Sequence, residues 1–257
     1  MNIKLIVTDL DGTLLHEDKT ISEYTLSILE KCRAKGIKVV PATARGHVVS
    51  SLSNLIDGLV SNNGATAYAG DTLIHSRIMT IDAVRDFLVT VAGMGVNILA
   101  QSRDGSFYAN FNLKKTWAKG WITPYKSVDF STIDIELKYL FAIADTEEES
   151  KRAEQIINEY LPSNLCLLVR DKGRLMVVLH NEAMKSKGVA ALAKHWGIMQ
   201  SEIVAFGDDT IDIDLLEYCG VGVAVSNALD EVKAIANHIC DSNDNDGVAK
   251  WLEQHIA

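Results

Sequence analysis

Residues 3–15 read IKLIVTDLDGTLL, an aliphatic run interrupted by two carboxylates, Asp9 and Asp11, and followed by Gly12 and Thr13. The run into Thr8 predicts a buried strand, and a carboxylate beside a core is costly unless it is paired or bound to a cation. The pattern therefore places two acids at the end of a strand, where they hold a cation or do chemistry. A solvated turn in which Asp11 caps the following backbone is the plain alternative for an isolated DxDG. The apolar strand that leads into this one argues for convergence of the two carboxylates instead.

Working outward, Ser22 is placed to cap a helix whose apolar positions Leu26, Leu29 and Cys32 recur at helical spacing and which Gly36 ends. IKVVPAT reads as a second strand, GHVVSSLSNLI as a short helix, GLVS as a third strand, and TAYAGDTLIHSRI as a hairpin about Gly70 and Asp71. This alternation predicts a parallel α/β sheet. From about Thr80 the texture changes. The helix IDAVRDFLVTVAG precedes NILAQS, the turn RDG and SFYANF. A similar set follows: YLFAIAD, the charged helix TEEESKRAEQIINEYL, LCLLVR, the turn DKG and RLMVVLH. Helix, strand, turn and strand thus occur twice, predicting an α+β insert over residues 81–182. The remainder, from KSKGVAALAKHWG to DGVAKWLEQHI, restores the alternation. The expected division is one domain built from residues 1–80 and 183–257, and a second from 81–182.

A chain of 257 residues with 47% hydrophobic content has ample material for a core. The formal net charge of −9 argues against a surface for nucleic acid, which needs clustered Lys and Arg. No apolar run approaches the roughly 18 residues needed to span a bilayer, and no basic region followed by an apolar segment opens the chain, so a cytoplasmic protein without a membrane partner is expected. Cys32, Cys166, Cys219 and Cys240 have no CxxC spacing and read as buried thiols. Oligomeric state is left open.

In open α/β sheets reactive residues gather beyond the carboxyl ends of strands. Four such places stand out: DLDGT at 9–13, ATAR at 42–45, KSKG with Lys187 at a helix start, and GDDTID at 207–212. Together they supply carboxylates, a hydroxyl and an ammonium, the complement for moving a phosphoryl group with a hard divalent cation. Taken singly, Thr43 reads as a strand or cap hydroxyl, Lys187 as a solvated helix lysine, and GDDTID as a capping acid with polar neighbours. Only their joint occurrence in this order points to phosphoryl chemistry.

With these motifs the sequence resembles the haloacid dehalogenase (HAD) superfamily, and within it the Cof-type sugar-phosphatase-like hydrolases. DLDGTLL is similar to the first motif of that family, ATAR to the second, the lysine of SKG to the third, and GDDTID to the fourth. SNNGA at 61–65, GVAVSNA at 222–228 and DGVAKWL near the C-terminus are similar as well. The resemblance implies an α/β fold with a Rossmann-like parallel-sheet HAD core and an inserted α+β cap of the C2 type that sets substrate specificity. It implies that Asp9 attacks phosphorus and that Asp11, on the same side of an extended backbone, protonates the leaving alkoxide and later deprotonates water. It further implies that Mg²⁺ is held by Asp9, the Asp11 carbonyl and Asp208, with Asp212 behind them or contacting the metal through water. The phosphoryl oxygens would be held by Thr43, Lys187 and the amides of Leu10 and Ala44. Arg45 and Asn63 are placed to touch a leaving group, although Arg45 reads equally as a salt-bridge partner.

Two positions depart from the family pattern. Ile211 stands where an Asn commonly contacts phosphate, and Ala44 stands where Gly is common. The expected activity is Mg²⁺-dependent hydrolysis of small phosphomonoesters, sugar phosphates above all, through an aspartyl phosphate. The rivals are a phosphomutase and a catalytically weak module that binds phosphorylated metabolites.

Overall fold

The computed structural model describes residues 2–119, 124–170 and 173–256. The chain divides into two compact units, Met1–Ser76 with Ala183–Ala257, and Arg77–Glu182. In the first unit the chain runs β1 (Leu5–Thr8), α1 (Glu23–Ala34), β2 (Lys38–Pro41), β3 (Gly58–Ser61), β4 (Thr66–Ala69) and β5 (Thr72–Ser76). Every residue of β1 is buried, as a central parallel strand covered on both faces requires. Ser22 caps α1 by accepting the Thr25 N–H, and the buried positions Thr25, Ile28, Leu29 and Cys32 recur at helical spacing. The short helix expected over residues 46–56 is not formed; one tight 3₁₀ turn, Ser50–Leu52, stands there. Adjacent β-branched Val48 and Val49, followed by Ser50, Ser51 and Ser53, weaken a regular helix and favour local turns.

The second unit runs β6 (Met79–Thr80), α2 (Ile81–Gly93), β7 (Ile98–Ser102), β8 (Phe107–Ala109), β9 (Lys126–Ser127), β10 (Glu136–Ile143), α3 (Glu147–Tyr160), β11 (Leu165–Arg170) and β12 (Leu175–His180). Its sheet has the order β11-β12-β10-β7-β8-β9, with β6 also on β10. The insert begins at Arg77 rather than at residue 81, because Met79 and Thr80 pair with Leu137 and Glu136. One hydrophobic cluster joins α2 and α3 to this sheet through Val84, Leu88, Ile98, Leu140 and Ile157. Thr146 and Glu149 form a reciprocal capping box that starts α3. Of the expected DKG turn, Asp171 and Lys172 lie outside the described residues.

Returning to the first unit, the chain forms α4 (Lys185–Trp196), β13 (Ile203–Gly207), α5 (Ile213–Tyr218), β14 (Val221–Val225), α6 (Asp230–Ile235), β15 (His238–Cys240) and α7 (Gly247–His255). The parallel sheet has the order β15-β14-β13-β1-β2, so β1 lies between the first strand to follow it and the first strand after the insert. That is the switch point at which ligands bind in such sheets. The antiparallel trio β3-β4-β5 joins it through a bridge between Ala42 and Val60. Gly64 is held at φ +95, and a Cβ there would lie 2.1 Å from the Met184 carbonyl oxygen, so only glycine lets the SNNGA loop meet the start of α4. All four cysteines are free; Cys32 and Cys219 are buried as expected, whereas Cys166 and Cys240 are half-buried. Among the described residues no helix is long and apolar enough to cross a membrane.

Candidate active site

Sheet pairing carries β1 straight into the acids. The Asp9 N–H donates to the Phe206 carbonyl of β13 at 3.0 Å, which keeps the nucleophile candidate in the sheet. Immediately afterwards the Leu10 carbonyl accepts from the N–H groups of Thr13, Leu14 and Leu15, so the chain winds into a tight turn. Gly12, at φ +84, passes so close to the fourth-motif acid that a Cβ would lie 2.5 Å from Asp208 Oδ2. Thr13 Oγ1 donates to Asp208 Oδ1 at 2.5 Å. The first and fourth motifs are thus in direct contact across the ends of β1 and β13.

The lysine at this site is Lys185, not Lys187. Lys185 Nζ donates to Asp9 Oδ1 and, at 2.6 Å, to Asp212 Oδ1, and its side chain is 1% exposed. Lys187 lies on the exposed face of α4. Helical phase explains the difference: Lys185 shares its face with Val189, Leu192 and Ala193, which pack inward, and Lys187 is turned away from them. Asp212 Oδ2 also accepts the Asp208 and Asp209 N–H groups, at 3.1 and 3.2 Å, closing the loop after β13 around itself. The N-terminus of α4 has no side-chain cap of its own; Asp214 Oδ2 on α5 accepts the Ser186 N–H at 2.9 Å instead.

Thr43 is buried at the end of β2, its N–H on the Val60 carbonyl and its Oγ1 accepting the Arg45 N–H. Asn63 donates its N–H to the Thr43 carbonyl and Asn62 donates to that of Arg45, so the SNNGA loop is stitched alongside Thr43, Ala44 and Arg45. Among the described residues the buried Asn63 Oδ1 has no hydrogen-bond partner. Arg45 grips Asp11 with a two-pronged ion pair, Nε to Oδ2 and Nη2 to Oδ1, both at 2.6 Å. Ile211 lies half-buried in the turn Thr210–Asp212.

Electrostatically the site is a surplus of negative charge in a place poor in water. Burial pushes the Asp9 carboxyl up; Lys185 pulls it back, and the neighbouring acids Asp212 and Asp208 add to the rise. Asp208 is pushed up to about 6, again by burial first. Burial works against the Lys185 ammonium, but Asp212 and Asp9 outweigh it and hold the proton on more firmly than usual. Around Asp11 the outcome is opposite: partial burial is again the largest single effect and raises its pKa, but Arg45 and Lys19 together bring it below the ordinary value. One carboxylate oxygen from each of Asp9, Asp208 and Asp212 lies within 4.8 Å of the others, a set of hard oxygen donors that fits a divalent cation. A cation there would relieve the repulsion that burial sharpens.

Of the residues expected from the sequence, Asp9, Asp208 and Asp212 converge on one point; Asp11, Thr43, Arg45 and Asn63 occupy the adjoining loops of the same unit, and Leu10 is buried in the turn between the acids. Sequence reasoning missed Lys185, Thr13 and Asp214. The apolar period of α4 points to Lys185; no comparable signal marks Asp214, whose partner is 28 positions away.

Comparison with known proteins gives a consistent result. The profile of the haloacid dehalogenase-like hydrolases matches residues 6–252. A 5-amino-6-(5-phospho-D-ribitylamino)uracil phosphatase of Bacillus subtilis is 29% identical, the match covering 98% of this chain and 97% of that protein. A phosphoglycolate phosphatase of Saccharolobus solfataricus is 25% identical over 98% of this chain and 95% of its own. Among solved structures, a sugar phosphatase of HAD subclass IIB superposes with a TM-score of 0.79 at 27% identity, covering 98% of each chain.

Proposed function

Because the chain belongs to the haloacid dehalogenase-like hydrolase family, we propose that it is a Mg²⁺-dependent phosphatase acting on small phosphomonoesters, sugar phosphates among them, through a phosphoryl group carried on Asp9. One observation carries this reading: Asp9 stands at the end of the central strand, bridged by Lys185 to Asp212, with an Asp208 oxygen in the same cluster. The names of these three relatives, all phosphatases with different leaving groups, support the reaction and leave the leaving group open.

In the first half-reaction an Asp9 oxygen forms a bond to phosphorus as the bond from phosphorus to the leaving oxygen breaks. Asp11 gives its proton to that oxygen. In the second, water attacks phosphorus, Asp11 takes the proton from the water, and the bond between Asp9 and phosphorus breaks to release phosphate. Lys185 sets an ammonium against the nucleophile and would meet the phosphoryl oxygens, together with the Thr43 hydroxyl and the N–H groups of Leu10 and Ala44. Mg²⁺, held by Asp9, the Asp11 carbonyl, Asp208 and Asp212, would offset the charge of the phosphate dianion that a carboxylate nucleophile must approach. Choice of substrate is assigned to the Arg77–Glu182 unit as part of the same reading.

The test is release of p-nitrophenolate from p-nitrophenyl phosphate with Mg²⁺ and with EDTA. Metal-dependent turnover is expected. A protein that binds phosphorylated compounds without turning them over would release none in either condition, and the reading would then be wrong.

A further inference from the structure

Both oxygens of the Asp11 carboxylate are already engaged. Arg45 takes one with Nε and the other with Nη2, and Lys19 Nζ stands 3.2 Å from Oδ1. Held by three N–H donors from two cations, the Asp11 carboxyl must loosen before one of its oxygens carries a proton to a leaving group. Two cations on one carboxylate also leave a net positive charge beside a site otherwise rich in acids.

Both cations are anchored by their backbones while their side chains reach solvent. Lys19 adopts φ +67 at the tip of a loop closed by His16 N–H to the Thr20 carbonyl at 3.0 Å and Lys19 N–H to the His16 carbonyl at 2.9 Å. Asp18 tightens that loop by accepting from Thr20 N–H and Oγ1. Arg45 is fixed by its N–H on Thr43 Oγ1 and its carbonyl on the Asn62 N–H. The side chains of Lys19 and Arg45 remain 48% and 27% exposed.

We propose that Arg45 and Lys19 form a receptor for a second anionic group on the leaving part of the substrate, so that the preferred substrates are phosphomonoesters bearing a carboxylate or a further phosphate. This rests on the phosphatase reading and narrows it. A guanidinium fork matches a planar carboxylate or a phosphate in two-pronged fashion, and a lysine adds a point charge beside it. The incoming anion takes the fork from Asp11, and Asp11, released, takes up a proton from solvent and turns it to the leaving oxygen. A neutral leaving group has nothing to exchange for Asp11 and meets it still clamped. Discrimination should therefore appear in kcat and not in KM alone.

The experiment compares kcat/KM within two matched pairs, 3-phosphoglycerate against glycerol 3-phosphate and fructose 1,6-bisphosphate against fructose 6-phosphate, for wild type, Lys19→Asn and Arg45→Gln. The first pair reports on a carboxylate and the second on a phosphate. Asn tolerates the left-handed backbone at position 19, and thermal melts establish folding. The wild type should favour the anionic member of at least one pair by about ten-fold, and each substitution should bring that ratio close to one. Equal kcat/KM within both pairs, or a preference that survives both substitutions in folded protein, overturns the proposal. If p-nitrophenyl phosphate and all four esters stay intact, the phosphatase reading fails by itself. The receptor is then judged by calorimetric titration with malonate, which wild type should bind at least about ten-fold more tightly than Lys19→Asn, and equal binding rejects it.

Discussion

Lys185 places an ammonium where water cannot reach it, and two carboxylates compensate for the lost hydration. Removing one member of such a buried set leaves the others uncompensated, at a cost of about 3–5 kcal/mol. Lys185→Met should therefore lower stability by that order in a urea titration and abolish phosphate release. Lys187→Met, on the exposed face, should change stability by less than about 0.5 kcal/mol and leave the rate nearly intact. The reverse pattern would show that the lysines have been assigned the wrong way round. Both lysines sit in the same short string, KSKG, and local pattern favours the one next to glycine. The decisive signal lies further along, in the inward positions Val189, Leu192 and Ala193, whose spacing puts residue 185 and not 187 on the buried face. The carboxylates are easier to read, because an acid that ends an apolar strand must find a cation or a set of hydrogen-bond donors to stay there.

Among elements, α4 begins without a cap in its own sequence, since Met184 precedes it and offers no side-chain bond. Asp214 supplies the acceptor from α5, one residue beyond Lys185. Loss of a cap costs about 0.5–2 kcal/mol, so Asp214→Ala should lower the melting temperature and reduce kcat by loosening the residue that bears Lys185. Asp214→Asn keeps an acceptor and should recover most of both. If Ala and Asn behave alike, the hydrogen bond to Ser186 is not what holds α4 in place. Such a cap is illegible in the sequence because it joins distant positions, whereas the Ser22 cap of α1 and the capping box of α3 lie within a few residues and can be read from neighbouring letters. The missing helix at 46–56 shows the opposite failure: the apolar spacing is there, but Val48, Val49 and the serines work against the backbone it requires.

Across the molecule, the change of texture near Thr80 announces an insert, and strand pairing moves its start to Arg77. Within the first unit, chain ends far apart in sequence are tied by Asp246. Its Oδ1 accepts from Ser22 Oγ at 2.6 Å and Thr25 Oγ1 at 2.9 Å, and lies 3.1 Å from His16 Nε2. Partial burial raises the Asp246 pKa, but the hydrogen bonds from Ser22, His16 and Thr25 outweigh it and hold the carboxyl below its ordinary value. A depressed carboxyl contributes stability above the unfolded-state value of 3.8 and loses it as pH falls through the folded value. Asp246→Asn should cost about 1–3 kcal/mol in urea titrations at pH 7, and the gap from wild type should narrow as pH falls below about 4. A gap that is the same at every pH would mean that the charge contributes nothing.

The central claim is that Asp9 carries the phosphoryl group, and intact and peptide mass spectrometry after rapid acid quench of enzyme with Mg²⁺ and excess p-nitrophenyl phosphate addresses it directly. The account predicts a phosphoryl adduct on the peptide containing Asp9 during turnover, and neither adduct nor turnover in a folded Asp9→Asn protein. Steady turnover with wild-type-like rate in Asp9→Asn, or an adduct that maps to another residue, would contradict it.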